Sequence, residues 1–426
     1  MSWATVLYLL FMVFLIAQGA LVVYLNLYIW LDGKRIEESG SPKKFKEPKT
    51  TFTIMLPAYK EEEVLGDTIK LVAKQNYPKK MYEILIILQP KDKGTIKVAR
   101  EAVAEANIKN AKILLVDPDH TPLNKPYQLN YALERAKFES VVIFDSEDEV
   151  HYNILNVANT LYLEKKADII QCGVQLMDYA STWFAAHNVL EYYFWFKSRM
   201  HAHMRIGAVP LGGNTVFFRT DQLRSVGAWN ENCLCEDADI GIRLSLKGAK
   251  MIASYDASHV TKEETPHSIE QFIKQRTRWC QGFIQILRYG YWRQLGANRA
   301  IASLKVWMAF YLLGSPFILV GMMLMGVIMA VLGVVTDLPF AVSITSFLPL
   351  FMVLSMILLQ MAALFEFVRE QKLKFHPMVF LAFPFTFIPY ILMLGAGALR
   401  ATWRELKGQA NWEKTAHSGA HRKAVN

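Results

Sequence analysis

The sequence predicts an α/β domain with a Rossmann-like parallel sheet, inserted between membrane-spanning helices. Residues 3–31 contain no charged side chain, and this run exceeds the ~20 residues that a helix needs to cross a bilayer. Residues 306–335 and 338–364 are two further uncharged apolar runs. Between these ends, segments typical of strands and helices alternate at the spacing of βαβ units.

The first apolar segment, residues 1–33, is predicted to be a transmembrane helix. Basic residues follow it closely, at Lys34, Arg35, Lys43, Lys44 and Lys46. An excess of Lys and Arg marks the cytoplasmic side of a span. A secretory signal peptide is not expected, because no basic segment precedes the apolar run and no small-residue cleavage site follows it. We therefore expect the chain to enter the cytoplasm at about residue 34.

The C-terminal membrane region, residues 303–400, leaves one question of topology open. Two spans joined by a short outer loop would return the chain to the cytoplasm at the charged residues 366–374. The next apolar run, residues 377–399, contains three prolines. It is either a kinked fourth span or a re-entrant segment packed against protein. The basic tail, residues 401–426, favours a cytoplasmic chain end and so conflicts with a full fourth span.

Residues 34–302 are predicted to form a cytoplasmic domain. Strands are expected at residues 52–59, 82–88, 111–116 and 141–144, with helices such as 66–75 between them. A parallel sheet of this kind suits a nucleotide ligand. The sequence contains neither a GxGxxG turn nor a Walker lysine loop, so dinucleotide dehydrogenases and P-loop ATPases are excluded.

An acidic turn follows the fourth strand. Four acids occur within residues 145–149, directly after the apolar segment V-V-I-F. Open α/β sheets bind ligands at the carboxyl ends of their strands, and Mg²⁺ takes carboxylate oxygens and bridges to phosphates. We expect Asp145, with Asp148 or Glu147, to hold Mg²⁺ or Mn²⁺. The alternative is a solvated acidic turn that binds no metal.

The charge distribution indicates a membrane rather than a nucleic acid as partner. The net charge is +9, and much of the Lys and Arg flanks the apolar runs, as is typical of membrane proteins. The four cysteines form no CxxC pair and show no zinc spacing, so reduced thiols are expected.

Six short motifs follow one another along the chain. They are LPAYKEE at 56–62, NKPYQLNYAL at 124–133, DSED at 145–148, LGGNT at 211–215, CED at 235–237 and QRTRW at 275–279. In this order they resemble the motifs of family-2 glycosyltransferases, in particular the membrane-bound processive branch that includes cellulose, chitin and hyaluronan synthases. The resemblance implies a nucleotide-sugar-binding domain of the GT-A type.

The resemblance assigns the catalytic acids. It implies that Asp237 is the general base for the acceptor hydroxyl, with Glu236 beside it. The alternative is that Asp237 caps the helix that follows. Asp239 is interpreted as structural. Where the family has threonine, this chain has Cys235, whose thiol is a weaker hydrogen-bond donor.

The motifs do not identify the nucleotide base of the donor. The second strand of the family usually ends in two aspartates, the first of which contacts the base. Gln89 stands nearest to that position here and Asp92 is the alternative, so UDP and GDP both remain open. The other substrate-binding residues that the resemblance implies are Pro57, Ala58, Tyr59, Glu61, Lys125, Asn130, Asp145 and Gly213.

The last motif predicts a binding face on a helix. Gln275, Arg278 and Trp279 are spaced i, i+3 and i+4 and therefore share one helix face. Arg278 can donate a planar fork to phosphate, and Trp279 offers a face on which a sugar ring can stack. The alternative is an interfacial helix, near residues 268–290, whose Trp anchors at the lipid headgroups. Both roles are compatible.

The expected protein is an inverting β-glycosyltransferase of the plasma membrane, with a cytoplasmic catalytic domain, that lengthens a polysaccharide and exports it. One alternative is the transfer of a single sugar to a lipid. A second alternative is an inactive secretion scaffold, which the intact Asp145 and Asp237 disfavour. The expected partners are a nucleotide-sugar donor, a polysaccharide or lipid acceptor and membrane lipids, with an accessory export subunit as one option and no nucleic acid.

Overall fold

The computed structural model describes residues 3–207, 211–296, 300–335, 347–409, 411–413 and 418–423. Within these residues the helices are α1 (Trp3–Leu27), α2 (Gly33–Ser39), α3 (Leu65–Ala73), α4 (Lys93–Glu105), α5 (Lys125–Leu133), α6 (Ile154–Lys165), α7 (Ala185–Phe194), α8 (Met200–Ile206), α9 (Thr220–Ser225), α10 (Glu236–Leu246), α11 (Ile269–Tyr289), α12 (Ala300–Val335), α13 (Phe347–Glu370), α14 (Pro377–Leu406) and α15 (Ala420–Lys423). A π-helical turn, Trp195–Arg199, joins α7 to α8. Short 3₁₀ turns occur at Lys79–Met81 and Tyr291–Gly296.

The strands are β1 (Phe52–Ala58), β2 (Tyr82–Leu88), β3 (Ala111–Leu115), β4 (Ser140–Ile143), β5 (Ile169–Cys172), β6 (Val174–Leu176), β7 (Val216–Arg219), β8 (Met251–Ser254) and β9 (Thr261–Glu263). In the described residues they form a seven-stranded sheet in the order β3-β2-β1-β4-β7-β5-β8 and a two-stranded sheet of β6 and β9. The first four strands pair in parallel, which confirms the predicted α/β fold. β7 runs antiparallel to both of its neighbours.

The sheet is covered on both faces, as expected for parallel strands. Helices α3, α4 and α6 pack on one face through residues such as Ile69, Ala99 and Val157. Helices α5, α7 and α10 cover the other face, and that core continues into α13 through Leu364 and Phe367. The domain and the apolar helices are therefore packed together through a shared core.

The order of the strands determines where a ligand can bind. β1 and β4 are neighbours, but the chain leaves β1 towards β2 on one side and leaves β4 towards β5 on the other, so a crevice opens at the carboxyl ends of these strands. Ala58, Leu88 and Ile143 end the three strands at this edge. Because β7 is antiparallel, its amino end, which follows Gly213 and Asn214, lies at the same edge.

Four of the described helices are long and apolar enough to cross a membrane by length and composition: Thr5–Leu27, Leu304–Ile328, Leu350–Glu370 and Pro377–Leu406. The first three agree with the predicted apolar runs. The expected outer loop between α12 and α13 lies outside the described residues.

Helix α14 contacts the α/β domain along its whole length. At its start, the Tyr179 hydroxyl accepts from the backbone N–H of His376 at 3.0 Å. In its middle, an added Cβ at Gly397 would lie 2.8 Å from the Cβ of Arg276 on α11. At its end, Arg404 Nε donates to Gln281 Oε1 at 3.2 Å. Both ends of α14 therefore lie beside the domain, although its composition matches that of a span.

Candidate active site

A cavity of about 620 Å³ opens at the carboxyl edge of the sheet. The ends of β1 and β2, the acidic turn after β4, the loop before β7 and the start of α10 form its domain side. Helices α11, α12 and α14 form its other side. The cavity collects most of the residues that the motifs predict: Pro57, Ala58, Tyr59, Glu61, Gln89, Lys125, Asp145, Glu147, Gly213, Glu236, Asp237, Gln275, Arg278 and Trp279.

One end of the cavity lies between the ends of β1 and β2. Gln128 on α5 ties the two strand ends together, since its Nε2 donates to Ile87 O at 2.9 Å and to Ala58 O at 3.2 Å. Gln89 follows β2 and lines the cavity. Its amide is close to Leu123 O, at 3.5 Å. Of the two residues considered for the nucleotide base, Gln89 lines the cavity and Asp92 does not.

Asp92 and Asn130 do not line the cavity, contrary to the roles that the resemblance implies. Asp92 caps α4 by accepting from Thr95 N at 3.3 Å and also accepts from Lys60 N at 2.5 Å. Asn130 uses its amide to hold the loop after α9, donating to Trp229 O at 2.9 Å and to Glu231 Oε1 at 2.8 Å. In this structure both side chains support the folded backbone.

Asp145, Glu147 and Asp148, three of the four acids in the turn after β4, differ in their surroundings. Asp145 and Glu147 line the cavity. Asp148 is fully buried, and its carboxylate accepts from Asp145 N at 2.8 Å and from Asn214 Nδ2 at 2.9 Å. Burial, with Glu263, Asp145 and Glu147 nearby, raises the pKa of Asp148 well above its ordinary value. Asp148 therefore shapes the turn in this structure and does not reach the cavity as the expected metal ligand would.

Lys125 lies among these acids. Its ammonium group pairs with Asp145 and donates to Gly213 O at 3.2 Å. Burial by itself would lower the pKa of Lys125, but the charges of Asp145, Glu236 and Glu147 raise it above its ordinary value. The lysine therefore carries a positive charge at the point where Asp145, Gly213 and the start of α10 converge, and such a charge can neutralise phosphate.

Asp237 occupies the second position of α10 and faces the cavity. The helix is capped at Cys235 without a side-chain hydrogen bond, so the alternative role of Asp237 as helix cap is not observed. Its Oδ1 accepts from Ala238 N at 2.7 Å and from the Cys235 thiol at 3.2 Å. A Cβ added to Gly213 would lie 3.3 Å from the Oδ2 of Asp237, so the absent side chain of Gly213 keeps this oxygen accessible. The thiol of Cys235 makes the contact that a threonine hydroxyl could also make.

Glu236 lies beside Asp237 and has a different charge environment. Burial and the neighbouring Asp237 raise the pKa of Glu236 to about 7, although Lys125 and Arg278 counteract the rise. Asp239, two residues after Asp237, is fully buried and pairs with Arg243 at 2.6 Å, which agrees with the structural role predicted for it.

Helix α11 presents its motif to the cavity as the spacing predicts. Ser268 caps the helix by accepting from Gln271 N at 3.2 Å. Gln275, Arg278 and Trp279 all line the cavity. The centre of the Trp279 ring lies 6.5 Å from that of the Tyr192 ring, and together they form an aromatic wall of the cavity.

Several cavity residues were not singled out by sequence reasoning for the site: Glu191, Tyr192, Arg199, Glu263 and Trp412. Glu263 is the last residue of β9. It accepts a hydrogen bond from Asn214, which also binds Asp148. Trp412 follows α14 and lies far from the domain in sequence, so its place at the cavity depends on how α14 packs.

The acidic turn offers part of a binding site for Mg²⁺ or Mn²⁺. No group of three His, Cys, Asp or Glu side chains with metal-binding geometry occurs within the described ranges of the chain. Asp145 and Glu147 nevertheless place two carboxylates at the cavity. Two carboxylates suffice for Mg²⁺ where phosphate and water oxygens complete its shell, so the residues present fit an ion that binds together with a phosphorylated substrate.

The fold and the site together define a nucleotide-sugar-binding α/β enzyme domain attached to apolar helices. The model of the family described as "Glycosyltransferase like family 2" matches residues 48–282, more than half of the chain. The chain belongs to this family and is a glycosyltransferase.

Individual relatives agree with this family. The chain is 25% identical over 383 residues to a β-monoglucosyldiacylglycerol synthase of Trichormus variabilis, covering 86% of this chain and 76% of the relative. It is 22% identical over 280 residues to a poly-β-1,6-N-acetyl-D-glucosamine synthase of Staphylococcus epidermidis, covering 62% of each. Among solved structures, the mannosyltransferase PcManGT from Pyrobaculum calidifontis, in complex with GDP-Man and Mn²⁺, superposes with a TM-score of 0.64 at 16% identity, covering 94% of this chain and 99% of the other.

Proposed function

We propose that this glycosyltransferase transfers a sugar from a nucleotide sugar to a lipid acceptor at the membrane surface. The choice of a lipid as acceptor rests on one observation. The cavity that contains Asp237 continues to Leu312, Pro316 and Leu319 of α12 and to Leu394 of α14. A molecule with a hydroxyl at Asp237 and an apolar tail along these helices would bury its apolar surface, which is favourable.

The donor is assigned to the sheet end of the same cavity. Gln89 lies where the base would bind, and Lys125 and Arg278 offer positive charge for the diphosphate. Mg²⁺ or Mn²⁺, held by Asp145 and Glu147, would neutralise further charge on the leaving group. The Mn²⁺ bound with GDP-Man in the structurally similar mannosyltransferase supports this assignment.

The transfer is proposed to be a single displacement. Asp237 accepts the proton of the acceptor hydroxyl as that oxygen bonds to the anomeric carbon, and the bond from this carbon to the diphosphate breaks on the opposite side. This step inverts the anomeric centre. Cys235 and Ala238 N donate to Oδ1 of Asp237, which leaves Oδ2, on the Gly213 side, to take the proton.

We infer a plasma-membrane protein in which α1, α12 and α13 span the membrane and the catalytic domain is cytoplasmic. Contacts of both ends of α14 with the domain support a helix that stays on the cytoplasmic side. Three spans place the amino end outside and the carboxyl end inside. This arrangement satisfies the basic residues after α1 and after α14, in agreement with the positive-inside rule.

The test is product analysis with purified protein in lipid nanodiscs. A panel of radiolabelled UDP- and GDP-sugars is supplied, and label is measured in the chloroform phase and in ethanol-insoluble polymer. We expect label in the lipid phase, with one sugar per lipid at saturating donor. Label found solely in polymer would overturn the lipid acceptor.

The processive synthesis of a polysaccharide is the second candidate. The aromatic wall of Trp279 and Tyr192 favours it, since stacked rings can hold a growing sugar chain. In that case Trp279→Ala should lose polymer more severely than it loses hydrolysis of the donor, because water needs no stacking surface. Equal loss of both products would indicate that Trp279 is a structural or membrane-anchoring residue.

A further inference from the structure

Arg199 is a cation in the cavity for which no partner is found among the described residues. It ends the π-helical turn Trp195–Arg199 and lines the cavity. Its Nε atom is buried and makes no hydrogen bond. A buried donor without a partner is costly, and π-helical turns inside α-helices are frequent at functional sites. The described contacts therefore do not explain why the Arg199 side chain lies in the cavity.

The acids near Arg199 are already occupied by other groups. Glu191 lines the same cavity, but its carboxylate pairs with Arg276 at 2.7 Å and accepts from the Tyr390 hydroxyl. Tyr311 on α12 is also near, and its hydroxyl accepts from Gln18 Nε2 at 2.8 Å. Among the described residues no acid is thus left over to pair with Arg199, and its positive charge can attract an anion from outside the protein.

Contacts in the structure locate Arg199 between the catalytic acid and the apolar helices. Phe196 precedes it by three residues, and a Cβ added to Gly212 would lie 2.6 Å from the ring of Phe196. The next residue, Gly213, adjoins Asp237. On its other side, Ala202, three residues after Arg199, packs in one cluster with Tyr311 of α12. Tyr311 lies about one helical turn from the cavity residues Leu312 and Ser315.

Arg199 lies where the headgroup of a lipid would be if the chains of that lipid lay along α12. Basic pockets between helices on the cytoplasmic side of a membrane bind lipid phosphates, and an arginine guanidinium binds phosphate through two parallel hydrogen bonds. The diphosphate of the donor is assigned to two other cations of the same cavity, Lys125 and Arg278.

We propose that Arg199 binds the phosphate of the lipid acceptor, so that the acceptor is a phospholipid whose headgroup also carries a free hydroxyl. This inference rests on the proposed transfer to a lipid and names the acceptor class. With the phosphate at Arg199 and the chains along α12, the headgroup hydroxyl extends past Phe196 towards Asp237. A neutral lipid would fill the apolar part of the cavity but leave Arg199 without its ligand.

The experiment compares phosphatidylglycerol with diacylglycerol as acceptor for wild-type protein, Arg199→Gln and Arg199→Lys. Arg100→Gln is the matched control, because Arg100 is an exposed residue of α4. We expect wild type to prefer phosphatidylglycerol. Arg199→Gln should raise the KM for phosphatidylglycerol roughly 10- to 100-fold, the range for a lost hydrogen bond to a charged group. The KM for diacylglycerol and for the donor should remain unchanged, and Arg199→Lys should give an intermediate value.

A binding measurement separates this inference from the proposed function. Phosphatidylglycerol added to detergent-solubilised protein should raise the unfolding temperature of wild type and Arg100→Gln but not of Arg199→Gln. Without lipid, Arg199→Gln should unfold at the wild-type temperature or higher, since it removes an unpaired buried charge. Three results would each overturn the phosphate site. The first is an equal loss of activity with both acceptors, and the second is a raised KM for the donor. The third is a lipid-dependent shift in unfolding temperature that is equal in wild type and Arg199→Gln. If wild type glycosylates neither lipid, the proposed function fails. The lipid-dependent shift in unfolding temperature alone then decides whether Arg199 binds the phosphate.

Discussion

The guanidinium carbon of Arg278 lies 4.4 Å from the centre of the Trp412 ring. Trp412 follows α14, and Arg278 belongs to the motif of α11. The two residues therefore bring the last part of the chain onto the catalytic cavity. Further along, Arg422 donates to the carbonyl oxygens of Val64 and Glu147 at 3.2 and 3.0 Å. The C-terminal segment thus contacts both the α11 motif and the acidic turn after β4.

The first prediction concerns the side of the membrane on which the chain ends. A segment that contacts Arg278 and the acidic turn must lie on the side of the catalytic domain. Green fluorescent protein fused to the C-terminus should fluoresce, and alkaline phosphatase fused there should be inactive. The same reporters fused after Val335, at the end of α12, should give the opposite result. An active phosphatase at the C-terminus would show that α14 crosses the membrane.

The topology of α14 illustrates what composition alone leaves undecided. Its apolar residues and prolines fit both a kinked span and a helix packed against the domain. The difference depends on contacts between residues far apart in sequence, such as Arg404 with Gln281. By contrast, β1, β2 and β4 were predictable because each is a short, fully buried run, which is a local property of the sequence.

The second prediction tests the general base. Asp237→Asn keeps the size of the side chain but cannot accept the proton, so the rate of transfer should fall roughly 10²- to 10⁴-fold. Binding of the nucleotide sugar, measured by calorimetry, should be nearly unchanged. Asp221→Asn, at an exposed acid in the first turn of α9, is the control and should keep wild-type turnover. If Asp237→Asn retained more than half of wild-type turnover, Asp237 would not be the base.

The third prediction separates the acids of the turn after β4. Asp145 lines the cavity, whereas Asp148 is buried and holds Asn214 and the backbone of the turn. Asp145→Ala should abolish activation by Mg²⁺ or Mn²⁺, and it should lower the unfolding temperature less than Asp148→Ala does, because Glu236 and Glu147 still offset the charge of Lys125. Asp148→Ala should lower the unfolding temperature, because it leaves buried donors without partners. Full turnover of wild type in excess chelator would contradict the metal role.

The sequence could not distinguish site residues from supporting residues of the same type. Asp92 and Asn130 stand in or near motifs, yet one caps a helix and the other holds a loop. Aspartate and asparagine are preferred both as helix caps and as ligands, so the motif identifies a position but not the direction of its side chain. The partner of Asp145 was likewise not predicted, because Lys125 reaches it from another segment of the chain.

The fourth prediction follows from the raised pKa of Glu236. Its pKa rises from an ordinary 4.5 to about 7 in the folded protein, chiefly through burial and then through Asp237. Between these values the folded state binds more protons than the unfolded state, so the free energy of unfolding falls as pH rises from about 4.5 to about 7. The unfolding temperature of wild type should decrease across this range, and Glu236→Gln should reduce the decrease. Identical pH profiles for the two proteins would contradict the raised pKa.

The fifth prediction concerns the contact between α11 and Cys235, the residue that precedes α10. Gly282 lies on α11, and a Cβ added there would be 2.3 Å from the Cβ of Cys235 and 2.6 Å from its backbone nitrogen. Backbone cannot move aside as a flexible side chain can, so Gly282→Ala must push the helix away from Cys235. Overpacking of this kind typically costs about 1–3 kcal/mol. The same shift moves the face that carries Arg278 away from Asp237.

Gly282→Ala should therefore lower both the unfolding temperature and kcat, while the KM for the donor changes less, since Gln89 and Lys125 lie on other elements. Gly326→Ala is the matched control, because Gly326 is also helical and an added Cβ meets nothing within 4 Å. Alanine has the higher helix propensity, so the control should be neutral or slightly stabilising. If the two variants behaved alike in unfolding and in turnover, the close approach of α11 to Cys235 would not be what aligns the two halves of the site.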